Sequence, residues 1–242
     1  TASILNQNSN FEGIGKRGTF DSKFNYSAPL MNKTFNPRNK STEIDLDLKI
    51  KDGLIEEIPF YEKIENINSR IVFNNSVGIK KGFLDLTFNK QDFAFKLKTN
   101  KKDDTTYTQI STSEFIDFNN LFFKGNFPGE LSGRSQTEVS IKLPSYLKAS
   151  DNHNSELLIY SKLEGTSIAL SSVLQKKYQE EMPFSLNINS YNDTNLNFKI
   201  GDSLRGKFKL SPVMGGFIIL GEKKRTISIE PSKTTLEIDF EI

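Results

Sequence analysis

The only histidine of the chain, His153, lies in a polar segment that also contains Asp151 and Ser155. A carboxylate, an imidazole and a hydroxyl are the groups of a hydrolase triad, but a triad is assembled in three dimensions on a rigid scaffold. Three such groups within one short polar segment are more typical of an exposed turn. A single histidine also excludes a histidine-rich metal site.

Gly13, Gly15 and Gly18 have the G-x-G-x-x-G spacing of a dinucleotide-binding loop. Such a loop follows a strand and opens a helix, because the helix N-terminus receives the pyrophosphate. Here a strand pattern follows the last glycine, and no strong strand pattern precedes the first. The segment is therefore interpreted as a glycine-rich turn.

Three acidic pairs are candidates for acid–base chemistry: Glu56-Glu57, Asp103-Asp104 and Glu180-Glu181. Glycoside hydrolysis needs two carboxylates that face each other across a bound sugar, and nothing in the sequence brings any two of these together. The D-x-[DN]-x-[DN]-G spacing of a calcium loop is absent. We therefore expect no enzyme activity, no catalytic residue, no metal site and no cofactor.

Charge and cysteine content exclude several kinds of partner and site. The 242 residues contain 32 Lys and Arg against 30 Asp and Glu, so no strong field attracts nucleic acid, and none is expected as a partner. The absence of Cys excludes disulfides and thiolate metal sites. The chain begins at Thr1 and ends within an alternating apolar run, so we expect a fragment of a longer protein whose membrane anchor lies outside it.

Apolar and polar residues alternate along most of the chain, as in strands with one dry and one wet face. In the clearest case the apolar residues Ile44, Leu46, Leu48 and Ile50 alternate with charged ones. The same pattern predicts strands at 20–26, 44–50, 67–73, 84–88, 93–97, 139–143, 157–163, 184–188, 196–200 and 204–210.

Short turn-forming segments separate these strands and favour hairpins over long crossovers. They lie at 52–53, 74–75, 100–104, 151–154, 192–193 and 201–202. A helix is predicted at 172–181, with Ser172 as N-cap and Pro183 beyond its end, and a shorter helical turn at 61–66. The prediction is an all-β fold with a mainly antiparallel meandering sheet and one or two short helices. A break at 100–106 would divide it into two β segments, 1–100 and 107–242, the second continuous with the first.

The dry faces of so many strands need a cover, and two helices are too few to supply it. Phe is abundant, with 20 residues against 7 Tyr and no Trp. Taken alone, the residues favour the packed core of a β-sandwich, since Phe is favoured in strands and buries a large area. The alternative is a purely apolar lining for lipid acyl chains.

Two stretches carry a family resemblance. Residues 161–170, S-K-L-E-G-T-S-I-A-L, are followed by a basic stretch and then by P-F-S-L at 183–186. This order resembles the YhdP branch of the AsmA-like proteins of bacterial envelopes. The segment that begins at Pro59 and leads into Ile67 is similar to that family's proline-containing link into a strand. The loop after Leu170 departs from the family pattern, because it lacks prolines before its lysine.

The resemblance implies a long periplasmic sheet curled into an open, β-taco-like groove and anchored to the inner membrane by a region outside this chain. Its expected partners are phospholipid acyl chains, together with inner- and outer-membrane proteins, and its expected role is phospholipid transport between the two membranes. A structural or adhesive surface protein with a fully packed β-sandwich is the alternative. The predicted groove-lining residues are Ile44, Leu46, Leu48, Ile50, Phe93, Phe95, Leu97, Phe184, Leu186, Ile188, Leu196, Phe198 and Ile200.

Overall fold

The structure is a computed structural model that describes residues 17–27, 43–56, 63–102, 105–123, 125, 129–144, 155–170, 174–190, 193–210, 215–221 and 223–228. Strands dominate these ranges, and one short helix interrupts them. The elements are β1 (Arg17–Ser27), β2 (Glu43–Glu56), β3 (Lys63–Asn74), β4 (Gly78–Phe88), β5 (Gln91–Lys102), β6 (Thr105–Ile116), α1 (Phe118–Phe123), β7 (Glu130–Gly133), β8 (Ser135–Pro144), β9 (Ser155–Ser161), β10 (Thr166–Ala169), β11 (Gln175–Lys176), β12 (Phe184–Ser190), β13 (Thr194–Ile200), β14 (Leu204–Lys209), β15 (Gly215–Leu220) and β16 (Lys223–Ser228).

The predicted all-β fold with an antiparallel meander is confirmed. Thirteen of the described strands follow one another in the order β1-β2-β3-β4-β5-β6-β8-β9-β12-β13-β14-β15-β16, and β11-β10-β7 form a smaller sheet. Among the described strands, β1 and β16 each have a single hydrogen-bonded neighbour, so the order is open at both ends. The chain has two compact units, one of residues 1–112 with 143–151 and one of residues 113–142 with 152–242.

The predicted break at 100–106 falls at the connection between β5 and β6, where Lys102 pairs with Thr105. Residues 103 and 104 of that break lie outside the described residues. The two compact units divide the chain within β6, between residues 112 and 113, and within β8, between residues 142 and 143. The division into segments 1–100 and 107–242 stays a prediction.

In the first unit, the strand register places apolar residues in rows across the sheet. Leu48 of β2 is opposite Ile71 of β3, Ile71 is opposite Gly82 of β4, and Gly82 is opposite Leu97 of β5. Because directly opposite residues in an antiparallel pair point to the same face, this row lies on one side of the sheet. We call the side that carries these residues the first apolar face.

A bulge interrupts β2 where the sequence predicts a turn. Asp52 has a φ of 50°, and the β2–β3 register shifts on both sides of Gly53, but the pairing resumes with Ile55 opposite Ile64. A Cβ on Gly53 would lie 2.9 Å from the Cβ of Ile67, so the two backbones approach closely here. The predicted turn at 52–53 is therefore wrong, because one extra residue is absorbed within the strand.

In the second unit, a similar row crosses five strands. Ile159 of β9 and Phe198 of β13 both lie opposite Leu186 of β12, Gly206 of β14 is opposite Phe198, and Ile218 of β15 is opposite Gly206. We call the side of these five strands that carries this row the second apolar face.

The predicted helix at 172–181 is wrong. Residues 172 and 173 lie outside the described residues, and the remainder contains β11, in which Lys176 is opposite Ile168. Burial alternates from Leu174 to Lys177, which is the period of a strand, and residues 178–181 are exposed, although the composition of the segment suits a helix. The helical turn predicted at 61–66 is also wrong over its described part, since Lys63 begins β3.

The observed helix, α1, was not predicted from the sequence, although Asp117 supplies an N-cap at its start. The Oδ1 atom of Asp117 accepts a hydrogen bond from the backbone N–H of Asn120 at 3.0 Å. The backbone carbonyl of Asp117 also accepts the N–H of Leu121 at 3.0 Å. This geometry is that of an aspartate N-cap.

Candidate functional site

The predicted groove-lining residues fall on the two apolar faces. Those of β2 and β5 share the first apolar face, because the row from Leu48 to Leu97 joins the two strands. Those of β12 and β13 share the second apolar face and lie directly opposite one another, with Phe184 across from Ile200. The structure therefore brings the thirteen residues together in two sets, one in each unit. Their role as a lipid lining stays a prediction.

Most of these side chains are only partly covered. Of the thirteen, Ile44, Phe93 and Leu97 are buried, and the other ten keep part of their surface exposed. The second apolar face also contains buried residues that the sequence analysis did not select, among them Leu204 and Phe208 of β14. Their alternation with Arg205 and Lys207 was the signal available for selecting them.

Strand β1 is the most exposed part of the first apolar face. Phe20 is opposite Ile50, and Phe24 is opposite Leu46, so both rings lie on this face. Their relative exposures are 66% and 42%. An aromatic ring that remains wet on an apolar face lacks the cover that a packed sandwich core would provide.

Aromatic contacts on the second apolar face involve rings without polar atoms. The rings of Phe198 and Phe208 stack with centroids 6.3 Å apart and an interplanar angle of 8°. Phe198 also covers Gly206, since a Cβ there would clash with its ring. Such a surface offers dispersion contacts and no hydrogen-bonding group.

The opposite faces carry ion pairs. In the first unit, Arg70 donates two hydrogen bonds to Asp47, from Nε to Oδ1 at 3.0 Å and from a terminal nitrogen to Oδ2 at 2.8 Å. These bonds lower the pKa of Asp47 below its usual value. In the second unit, the hydrogen bond from Lys142 at 2.6 Å, helped by Asn187, lowers the pKa of Glu156. Both carboxylates are therefore held ionised and are unsuited to act as general acids near neutral pH.

The candidate catalytic residues are not assembled into a site in the described part of the chain. His153, Glu57 and the pair at 103–104 lie outside it, as do Gly13 and Gly15. Gly18 belongs to β1, so the predicted glycine-rich turn does not extend to it.

The acidic pair at 180–181 is divided between two different partners. Glu180 accepts a hydrogen bond from the backbone N–H of Lys177 at 2.9 Å, whereas Glu181 pairs with Lys162 at 3.0 Å. The two carboxylates are thus used separately, in local contacts. Within the described ranges, no group of three or more His, Cys, Asp or Glu side chains is placed to hold a metal ion.

The smaller sheet contains a buried lysine beside a cleft of about 290 Å³. Lys176 is 4% exposed, and its Nζ donates hydrogen bonds to the backbone carbonyls of Thr166 at 2.6 Å and Lys177 at 2.9 Å. Burial lowers the pKa of Lys176, because it disfavours the charged form; Glu180 and Glu164 oppose this effect. Sequence reasoning missed this residue, since a lysine in a polar stretch gives no sign of burial.

The lowered pKa of Lys176 predicts a rise in stability with pH. Between its folded pKa and the unfolded value of about 10.4, the unfolded chain binds more protons than the folded chain at this site. The free energy of unfolding therefore gains a contribution that increases as the pH rises through this window. Urea unfolding of the wild type and of Lys176→Met at pH 7 and pH 10 measures it. We expect the wild type to gain stability relative to the variant at pH 10; an equal change in both would contradict the assignment.

Comparison with known proteins gives no family: the chain matches no family model, no curated protein and no solved structure. Within the described ranges, none of the helical structure is long and apolar enough to cross a membrane. The two apolar faces are thus the features from which a function can be argued.

Proposed function

We propose that this chain is a segment of a periplasmic, bridge-like carrier that shields phospholipid acyl chains on their way between the inner and outer membranes. The observation that carries the proposal is the partial exposure of the apolar side chains on both apolar faces. In this arrangement, acyl chains cover the side chains that the protein leaves wet.

The energetic argument favours an apolar ligand. Apolar surface in contact with water costs about 25 cal/mol per Å². A hydrocarbon chain laid along a row such as Ile159, Leu186 and Phe198 removes part of that cost for both partners. No hydrogen bond fixes the ligand along the row, so the chain is free to slide.

The charged faces also support the proposal, since they face water while the apolar faces hold the acyl chains. Pairs such as Arg70 with Asp47 and Lys142 with Glu156 keep the side opposite each apolar face wet. The near balance of positive and negative residues provides little long-range attraction to an anionic bilayer. Partner proteins at the inner and outer membranes would therefore bring the carrier to its sites of loading and release. The resemblance to the AsmA-like proteins supports this setting.

The test is the lipid content of the purified protein. Protein prepared without detergent is extracted with organic solvent, and the extract is analysed by mass spectrometry beside a mock purification. We expect phospholipid in an amount comparable with that of the protein, and re-uptake of added phospholipid after its removal. A structural or adhesive protein with a packed core would yield phospholipid at the mock level and would take up none, which would overturn the proposal.

A further inference from the structure

Strand β1 presents an edge as well as an exposed face. Among the described strands, it pairs with β2 alone. An edge strand has a row of backbone N–H and C=O groups that point away from its one neighbour, which is a template for a further strand. Phe20 and Phe24, 66% and 42% exposed, stand on the apolar side of this edge.

The sequence of β1 is complementary to itself about Ser22, its central residue. One position from the centre lie Asp21 and Lys23, and two positions away lie Phe20 and Phe24. If a second β1 pairs antiparallel with Ser22 opposite its own counterpart, each Asp21 faces a Lys23 and each Phe20 faces a Phe24. The regular part of the strand, from Thr19 to Asn25, is then paired symmetrically about Ser22.

Neighbouring registers lack this complementarity. Pairing centred on Asp21 places two carboxylates opposite each other, and pairing centred on Lys23 places two ammonium groups opposite each other. Like charges directly opposite in a sheet are destabilising, whereas opposite charges and aromatic pairs are stabilising. The charges of β1 therefore select the register centred on Ser22.

We propose that β1 is a dimerisation edge to which a second copy of this chain adds its own β1, antiparallel, with Ser22 at the two-fold axis. This axis is perpendicular to the local sheet, so it keeps the apolar residues of both copies on the same side. The contact covers Phe20 and Phe24, and it joins the first apolar face of one copy to that of its partner. The inference does not rest on the proposed function.

A single introduced cysteine tests the register directly, because the chain contains no Cys. Directly opposite residues of an antiparallel pair have Cα atoms roughly 4.5–5.5 Å apart, within the range of a disulfide. We expect Ser22→Cys to form a covalent dimer under mild oxidation. The matched variant Asn25→Cys should form little, because its two sulfur atoms would be about 20 Å apart along the strands at 3.4 Å per residue.

Charge reversal tests the complementarity by sedimentation over a range of concentrations. We expect Asp21→Lys and Lys23→Asp each to weaken dimerisation at least tenfold, and the double variant to restore it. Both residues also face β2, opposite Lys49 and Asp47. The double variant keeps that mismatch within the chain, so its recovery separates the contact between copies from any local loosening.

Lys98→Asp, at an exposed position of β5, is the matched single charge reversal and should leave dimerisation unchanged. A wild-type chain that stays monomeric at all concentrations would overturn the proposal. Equal crosslinking through Ser22→Cys and Asn25→Cys would do the same.

Discussion

Leu186→Glu is expected to reduce photocrosslinking of a diazirine-labelled phospholipid at the second apolar face by at least tenfold. Leu186 lies between Ile159 and Phe198 in the row that crosses this face. A carboxylate at this position must either lose water when an acyl chain covers it or keep the chain away. A penalty of about 1.4 kcal/mol already corresponds to a tenfold loss of binding, and the penalty for desolvating an unpaired charge exceeds that value.

The matched control is Ser185→Glu, which adds the same charge to the preceding residue of the same strand. Ser185 is exposed, lies on the opposite side of the sheet and is directly opposite Lys199 of β13, so the added carboxylate leaves the apolar row intact. Leu46→Glu repeats the experiment on the first apolar face. Circular dichroism should show the same β content in all variants. If Leu186→Glu labels as strongly as the wild type, acyl chains do not use this face.

Alternation predicted strands well wherever one face of a strand is dry and the other is wet. Strand β2 fits this condition, because its apolar residues share a face with those of β3 and its charges face water. Strand β6 does not fit this condition, because hydroxyl and amide side chains occupy both of its faces. One of them, Thr112, is buried on the apolar side, where the alternation would predict an apolar residue. The period-two signal is therefore lost there, although the backbone pairs with β5.

The failures of local prediction have a common cause in hydrogen bonding to another strand. Asp52-Gly53 is a strong turn signal, yet β3 pairs with β2 on both sides of it, so it becomes a bulge. The stretch that contains Lys176 has a helical composition, but pairing with Ile168 makes it a strand. In each case backbone hydrogen bonds to another strand outweighed the local preference of the residues.

Part of the candidate site, the grouping of its residues on shared faces, was predictable. Directly opposite residues of a hairpin share a face, and the alternating pattern favours the register that keeps apolar residues opposite one another. Leu186 and Phe198 could therefore be grouped from the pattern alone. The exposure of each side chain is a tertiary property. Buried Phe93 and exposed Phe20 therefore could not be distinguished from the pattern of residues.

A buried hydroxyl cluster anchors β8 and β9 at one end of the second apolar face. Ser161 is 1% exposed, and its Oγ lies 2.9 Å from Ser135 Oγ and 2.9 Å from the carbonyl oxygen of Gln136. The Oγ of Ser161 also accepts a hydrogen bond from the backbone N–H of Leu163 at 3.1 Å. Leu163 has a φ of 54°, a conformation that is costly for a leucine. One hydroxyl therefore joins two strands and helps to hold a strained residue.

Ser161→Val should lower the free energy of unfolding by about 3 kcal/mol, since leaving a buried polar group without a partner costs roughly 1–3 kcal/mol and at least two lose theirs here. Urea unfolding followed by circular dichroism measures the change. Ser185→Val, at the exposed position of β12, is the matched control and should change the stability by less than about 0.5 kcal/mol. Ser161→Ala separates lost hydrogen bonds from added bulk and should retain most of the effect. Equal midpoints for the Ser161 and Ser185 valine variants would show that this hydroxyl does not hold β8 and β9 together.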